Sequence, residues 1–182
     1  MIQLRPAAAA DALAVAQLHA LSWRTAYRGQ FSDAFLDGDI LTDRTRLWTS
    51  RLQQPDQRQN VTVAELDGSL VGFSCIYSND HPHWGTLLDN LHVQPTLKGT
   101  GIGAALLRKV ARDCRAQSPA SSLYLWVLDA NHDARNFYEH QGGRCADEEV
   151  WSPPGGGKVK RLRYIWPADK LPLDPSSEFQ QL

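Results

Sequence analysis

The spacing of apolar positions changes from segment to segment along this chain, and that spacing predicts its elements. Ile102, Leu106, Val110 and Cys114 recur every four residues with Leu107 beside them, which is the stripe of an amphipathic helix beginning near Thr100 or Gly101 and running to about Gln117. Arg108, Arg112 and Arg115 fall on its other faces. Residues 87–93 read as a strand that leads into this helix through Pro95 and a glycine-rich turn. Upstream, residues 2–5 predict a first strand ended by Pro6. An alanine-rich helix follows from Asp11 to about Trp23, with Leu13, Leu18 and Leu21 on one side and Val15, His19 and Trp23 on another. Residues 31–41 carry no clear period. Thr42 or Asp43 then caps a helix through Leu52 that turns Leu47 and Trp48 inward.

The middle of the chain alternates with period two. Val61 and Val63 lead to Asp67-Gly68, a strong two-residue hairpin signal, and Val71, Phe73, Cys75 and Tyr77 share one face of the return strand. Residues 78–85 read as a loop. The run 121–128 (SSLYLWVL) is continuously apolar, as for a strand covered on both faces. Asn131 can cap a helix ending at Gly142-Gly143. Residues 144–151 and 158–166 predict two closing strands joined by a loop, 152–157. In the second, Leu162, Tyr164 and Trp166 oppose Arg161 and Arg163. Residues 167–182 read as a loosely attached, proline- and polar-rich tail.

Composition narrows the class without naming a function. The 182 residues, 42% hydrophobic and 21% charged, suit one ordinary soluble domain with a short tail. A formal charge of −1 gives no general attraction to nucleic acid or anionic membrane. Three widely separated cysteines, Cys75, Cys114 and Cys145, suit reduced thiols and a cytoplasmic setting better than a disulfide framework. The N-terminus lacks the pattern of a signal peptide, and no run is long and apolar enough to span a bilayer.

Candidate chemistry concentrates in two stretches. In Gly99-Thr100-Gly101-Ile102-Gly103-Ala104, backbone N–H groups at the start of the helix have no partner within it. Together with the helix dipole they suit a phosphate or pyrophosphate, and Lys98 adds a mobile positive charge. The same residues fit the dinucleotide pattern G-x-G-x-x-G/A, with Asp129 at the end of the next strand. Against that reading, residues 94–98 separate the strand from the first glycine, and there is no repeated βαβ array. In the second stretch, 131–143, Ala134, Phe137 and Tyr138 share one helical face. His81-Pro82-His83 offers two imidazoles without a clear third ligand, so no metal site is expected. Gly155-Gly156-Gly157-Lys158 lacks the Walker spacing.

The order LHVQP…KGTGIGAALL and then LWVLDANHDARNFYEHQGG resembles the GNAT superfamily of acyl-CoA-dependent N-acetyltransferases, and HALSWRTAYRG looks like some of its bacterial members. Lys98 stands where that family usually has Gln or Arg, and Gly143 where a Phe is common. The resemblance implies an α+β fold (an α/β/α sandwich) with a twisted, mostly antiparallel central sheet of about seven strands. A parallel pair lies at the cofactor site, and about four helices flank the sheet. It implies a single acyl-CoA N-acyltransferase domain over residues 1–166, with 167–182 as the tail.

It also implies acetyl-CoA as co-substrate, with no metal, and a primary amine of a small molecule or peptide as acceptor. Residues Lys98, Gly99, Thr100, Gly101, Ile102, Gly103 and Ala104 would hold the pyrophosphate. The splayed strand at Leu91, His92 and Val93 would hold the pantetheine arm, with Asn131, Ala134 and Tyr138 on its other side. Tyr138 is the expected acid for the departing thiolate. Asp89 and His92, three apart on a strand and so on opposite faces, are the candidates for the base, Asp89 through water if burial raises its pKa. Trp23, Tyr27 and Arg28 are expected in the acceptor pocket. The alternatives are a non-catalytic acyl-CoA-binding or sensing module and a dinucleotide-dependent oxidoreductase. Exposed tryptophans on the closing strands would suit a homodimer.

Overall fold

In the computed structural model, which describes residues 1–153 and 156–173, a seven-stranded sheet in the order β1-β2-β3-β4-β5-β7-β6 carries helices on both faces. Chain order runs β1 (Ile2–Pro6), α1 (Ala12–Ala26), α2 (Ile40–Gln53), β2 (Gln59–Leu66), β3 (Ser69–His81), β4 (Gly85–Val93), α3 (Ile102–Gln117), β5 (Leu123–Leu128), α4 (His132–His140), β6 (Arg144–Trp151) and β7 (Val159–Trp166). Every neighbouring pair is antiparallel except β4 and β5. This is the mixed sheet and helix complement the sequence implied. The predicted tail segment 174–182 and part of the 152–157 loop lie outside the described residues.

Local signals explain much of this. Asp67 and Gly68 take φ of 51° and 78°, the left-handed pair that a two-residue hairpin between antiparallel strands demands. On α3 the whole predicted stripe is buried, with Ile102, Leu106, Leu107, Val110 and Cys114 all at 2% exposure or less. Burying each large aliphatic side chain there contributes roughly 1.5–3 kcal/mol. Leu107 and Val110 pack with Ile76, Leu88, Leu125 and Tyr138 on one side of the sheet. On the other side Val15, Leu18 and Trp48 of α1 and α2 pack with Val63, Phe73 and Cys75. On β7, Leu162, Tyr164 and Trp166 are buried as expected, while Arg161 and Arg163 stack on Trp126 at 4.5 and 4.3 Å.

Several expectations need correction. Leu13 and Leu21 are 54% and 42% exposed; the buried face of α1 is Val15, Ala16, Leu18, His19 and Trp23, a smaller surface that sits close to the sheet. Residues 35–39 form a π-helical turn that buries Leu36 and runs into α2, so that helix starts at Ile40, ahead of Thr42. Strand β3 continues to His81, which shrinks the predicted 78–85 loop to its tip. Val71 does not share a face with Phe73 and Cys75. A bulge at Ala64/Glu65 leaves it extra in β3, and it packs with Ile102 and Leu106 instead. Past Trp166 the chain stays packed, with Leu171 buried in the core beside Leu173. Trp166 is fully buried, and Trp151 lies under Arg161 at 5.0 Å, so tryptophans do not supply the exposed surface expected for a dimer.

Candidate active site

Strands β4 and β5 pair only at Thr86–Leu123 and Leu87–Tyr124, and then they part. Beyond that fork the edge of β4 from Leu88 to Val93 faces β5 across open space. The resulting cleft of about 1100 Å³ is lined by both strands, the glycine turn, the start of α4 and the inner face of α1. The fork follows from topology. A parallel pair is tied by no tight turn, so the right-handed twist of each strand can carry the two apart where their pairing stops.

At one end of the cleft, a 3₁₀ turn at Pro95–Leu97 leads into Gly99 and Gly101, whose φ values of 80° and 90° are left-handed. A Cβ at either glycine would meet nothing, so it is the backbone path, not crowding, that requires them. Ala105 N–H donates to Gly101 O at 3.0 Å and closes the first turn of α3. The N–H groups of Ile102, Gly103 and Ala104 are thereby left without partners inside the helix. Thr100 is occupied locally, its Oγ1 donating to Leu97 O at 2.7 Å. The side chain of Ile102 turns into the core, so neither residue brings a side chain to the cleft. At Gly103 a Cβ would come into ordinary contact with the Phe137 ring, at 3.4 Å. Lys98, Leu91, His92 and Val93 all line the cleft.

Across the fork, Asn131 caps α4 by accepting from Ala134 N–H at 3.3 Å, which leaves its side-chain NH₂ for another partner. Ala134, Phe137 and Tyr138 follow along the wall. Tyr138 is 8% exposed, and burial, then the nearby Tyr27 phenol, pushes its pKa above the ordinary tyrosine range. Tyr27 is raised to about 12 by burial. Both phenols stay protonated at neutral pH.

The two expected bases are placed differently from the prediction. Asp89 is the inserted residue of a bulge: Cys75 pairs with Asn90 and Ile76 with Leu88, leaving Asp89 between them. It turns to α2, where Arg51 Nη1 donates to Asp89 at 2.8 Å and to Asn90 at 3.2 Å. That is the face on which His92 meets Phe73 at 5.2 Å and His19 at 4.7 Å. Asp89 and His92 therefore share a face, because the bulge cancels one step of the strand's alternation. Asp89 is ion-paired and lacks the unpaired burial its role required. His92 has its pKa lowered to about 3 by burial and then by the positive charges of Lys98 and Arg44. So weak a base does not hold the proton of an alkylammonium.

Of the expected acceptor-pocket residues, Trp23 and Tyr27 line the cleft. Arg28 does not: it is exposed and held by Asp33 at 3.0 Å and Asp37 at 2.8 Å. The cleft adds residues that sequence reasoning passed over, among them His19, Ser22, Arg44, Trp126, Trp151 and Arg161. One signal was available on α1, where polar His19 and Ser22 sit beside Trp23 on the face that also carries Val15. The others come from α2, β5, β6 and β7, which only the folded sheet brings here. His81 is spent within its own turn, its Nδ1 accepting from the N–H groups of His83 and Trp84 at 3.1 and 3.3 Å. No helix among the described residues is long and apolar enough to cross a membrane.

Comparison with known proteins agrees with this geometry. A probable N-acetyltransferase of Mycobacterium tuberculosis is 26% identical over 171 residues, covering 90% of this chain and 92% of the relative. Among solved structures, the PaiA N-acetyltransferase of Thermoplasma acidophilum, crystallised with coenzyme A, superposes with a TM-score of 0.72 at 17% identity over 90% of this chain and 98% of that one. The YncA putative acetyltransferase of Salmonella typhimurium, solved with acetyl-CoA, gives 0.67 at 16% identity over 93% and 95%. The profile of the Acetyltransferase (GNAT) family matches residues 15–143, from the inner face of α1 through the fork and the glycine turn to the end of α4. On that match, which covers most of the chain, this protein belongs to the GNAT acetyltransferase family.

Proposed function

We propose that the protein transfers an acetyl group from acetyl-CoA to a primary amine of a small molecule or peptide, by direct attack while both substrates are bound. The observation that carries this reading is the parting of β4 and β5 beside the glycine-started end of α3. Unpaired N–H groups at residues 102–104 and the charge of Lys98 suit a diphosphate. The free edge of β4 at Leu91, His92 and Val93 suits the amide-bearing arm of coenzyme A, with the Asn131 NH₂ and Ala134 opposite. The coenzyme A and acetyl-CoA complexes of the two structural neighbours support the same occupant. Residues 1–166 form the transferase domain, and the 168–173 segment packs onto it.

The chemistry needs three contributions from the chain. Holding amine and thioester together supplies roughly 7–11 kcal/mol of the barrier. Backbone N–H groups along the open edge of β4 stabilise the negative charge that develops on the carbonyl oxygen. Tyr138, protonated throughout the neutral range, donates a hydrogen bond and then its proton to the departing sulfur. A thiol has a reference pKa of about 8.5, and the burial that raises the phenol acts on that thiolate as well. With Asp89 paired and His92 so weakly basic, the amine enters as its minor neutral form, the ammonium formed on attack loses its proton to water in the open cleft, and the Tyr138 phenolate takes a proton back from water.

The test is thiol release from acetyl-CoA across a panel of amines. Release that depends on both substrates is the expected result. Tight coenzyme A binding without turnover of any amine would make the chain a binding module instead.

A further inference from the structure

The acceptor side of the cleft holds two buried polar atoms without partners, one helical turn apart on α1, and an arginine from α2 with one nitrogen to spare. Trp48 Nε1–H donates to His19 Nδ1 at 2.9 Å. An indole N–H is only a donor, so Nδ1 must accept and the ring proton sits on Nε2. The His19 ring is 1% exposed, and its Nε2 is buried with no partner. Nε2 points away from Trp48, and the residue lines the cleft. Ser22, one turn along the same face of α1, also lines the cleft, and its Oγ is buried without a partner.

Arg44 reaches the same wall from α2, its guanidinium 4.4 Å over the Trp23 ring. It is 8% exposed. Its Nε and Nη2 both donate to Asp43, whose side chain is the more exposed of the pair at 38% against 10%. Arg44 Nη1 has no partner among the described residues. Buried donors are seldom left unmet, and here a hydroxyl and an imidazole N–H are unmet on one face of α1, with the remaining Nη1 of Arg44 in the same cleft. None of the three acids lining the cleft answers them: Asp89 is held by Arg51 at 2.8 Å, Asp80 accepts from the Tyr124 hydroxyl, and Asp133 belongs to the first turn of α4. Beside this corner Trp23, Tyr27 and Phe31 make an aromatic shelf with ring centroids 4.9–5.5 Å apart.

We infer that His19, Ser22 and Arg44 form an oxyanion-binding subsite for the acceptor, which is therefore a small amine carrying a carboxylate or phosphonate, of the amino-acid type, with an apolar side chain on the aromatic shelf. This rests on the transferase reading above and narrows it. A polyamine or an aminoglycoside would bring more positive charge to Arg44, and a long peptide would place an uncharged carbonyl there. A planar carboxylate fits a guanidinium edge plus one further donor.

The experiment compares amino acids with their carboxamides and aminophosphonate analogues, at equal concentration, in the thiol-release assay. The carboxamide has the more acidic ammonium and so more free amine at neutral pH; any preference for the acid must come from binding. The expected result is kcat/KM at least tenfold higher for an acid than for its amide. That ratio should fall towards one in Arg44→Gln, be partly kept in Arg44→Lys, and fall severalfold in Ser22→Ala. Thermal protection by coenzyme A shows that each variant is folded. A higher rate with the phosphonate assigns the subsite to a tetrahedral anion, and with the carboxylate to a planar one. Equal turnover of acid and amide by the wild-type protein overturns the inference while leaving the transferase intact. If no amine is turned over, the transferase reading fails, and titration of N-acetyl amino acids against their amides into the coenzyme A-loaded protein decides the subsite alone. Tighter binding of the acid upholds it, and equal binding overturns it.

Discussion

Asp89 and His92 look out from the same face of β4, although three residues separate them. The bulge opposite Cys75 and Ile76 adds Asp89 as an unpaired step, and the side chain swings to Arg51 at 2.8 Å. The carboxylate is thereby a tie between the sheet and α2, beside the cleft and not poised as a base.

Removing that tie costs stability more than rate. Asp89→Asn leaves the Arg51 guanidinium, at 21% side-chain exposure, without its charged partner, and the expected loss is about 1–3 kcal/mol. Denaturant unfolding measures it. A role as base requires instead a fall in kcat of more than a hundredfold with stability unchanged.

Tyr138 carries the opposite expectation. Tyr138→Phe keeps the ring against Trp166, 5.9 Å away, and removes the hydroxyl proposed to donate to sulfur. We expect kcat to fall by about 10² to 10⁴ with KM for acetyl-CoA nearly unchanged. Steady-state thiol release decides it, and a loss below threefold removes Tyr138 from the role.

The pair His19 and His92 makes stability depend on pH. Burial, joined by His92, Arg44 and Arg51 for one ring and by Lys98 and Arg44 for the other, lowers both pKa values below the usual 6.5, His92 to about 3. The unfolded chain then binds more protons than the folded one between those values. Stability is fully present above about pH 6.5 and declines as pH falls towards 3, by up to about 1.4 kcal/mol per pH unit for His92, with His19 acting in the same direction. Thermal melts from pH 8 to pH 5 should show falling Tm, with a shallower slope in His92→Phe. In activity, neither ring titrates near neutrality, so kcat/KM should climb with pH as the amine deprotonates, without an inflection near 6.5.

Gly143 is constrained by a tryptophan. A Cβ there would lie 2.6 Å from the Trp166 ring, whose Nε1 donates to Gln141 O at 2.8 Å. The indole fills the space where a side chain at residue 143 would begin. Gly143→Ala should destabilise by about 1–3 kcal/mol through overpacking, read by chemical denaturation. No change in stability would show that the indole moves aside freely.

The sequence by itself determined whatever short-range chemistry controls. The every-fourth-residue stripe of α3, the Asp67-Gly68 turn, the glycines before α3, the Asn131 cap and the alternation of β7 were all legible, because each depends on neighbours within a few residues. Tertiary structure decided the rest. Which face Asp89 and Val71 take depends on bulges, and a bulge is a mismatch between two strands that neither strand encodes alone. Arg28 looked like a pocket residue until the fold set Asp33 and Asp37 against it. His19 and Arg44 come to one cleft only because the fold brings α1 and α2 against β4. The fork between β4 and β5 is the furthest from sequence, since it arises where two strands that no tight turn connects stop pairing and twist apart.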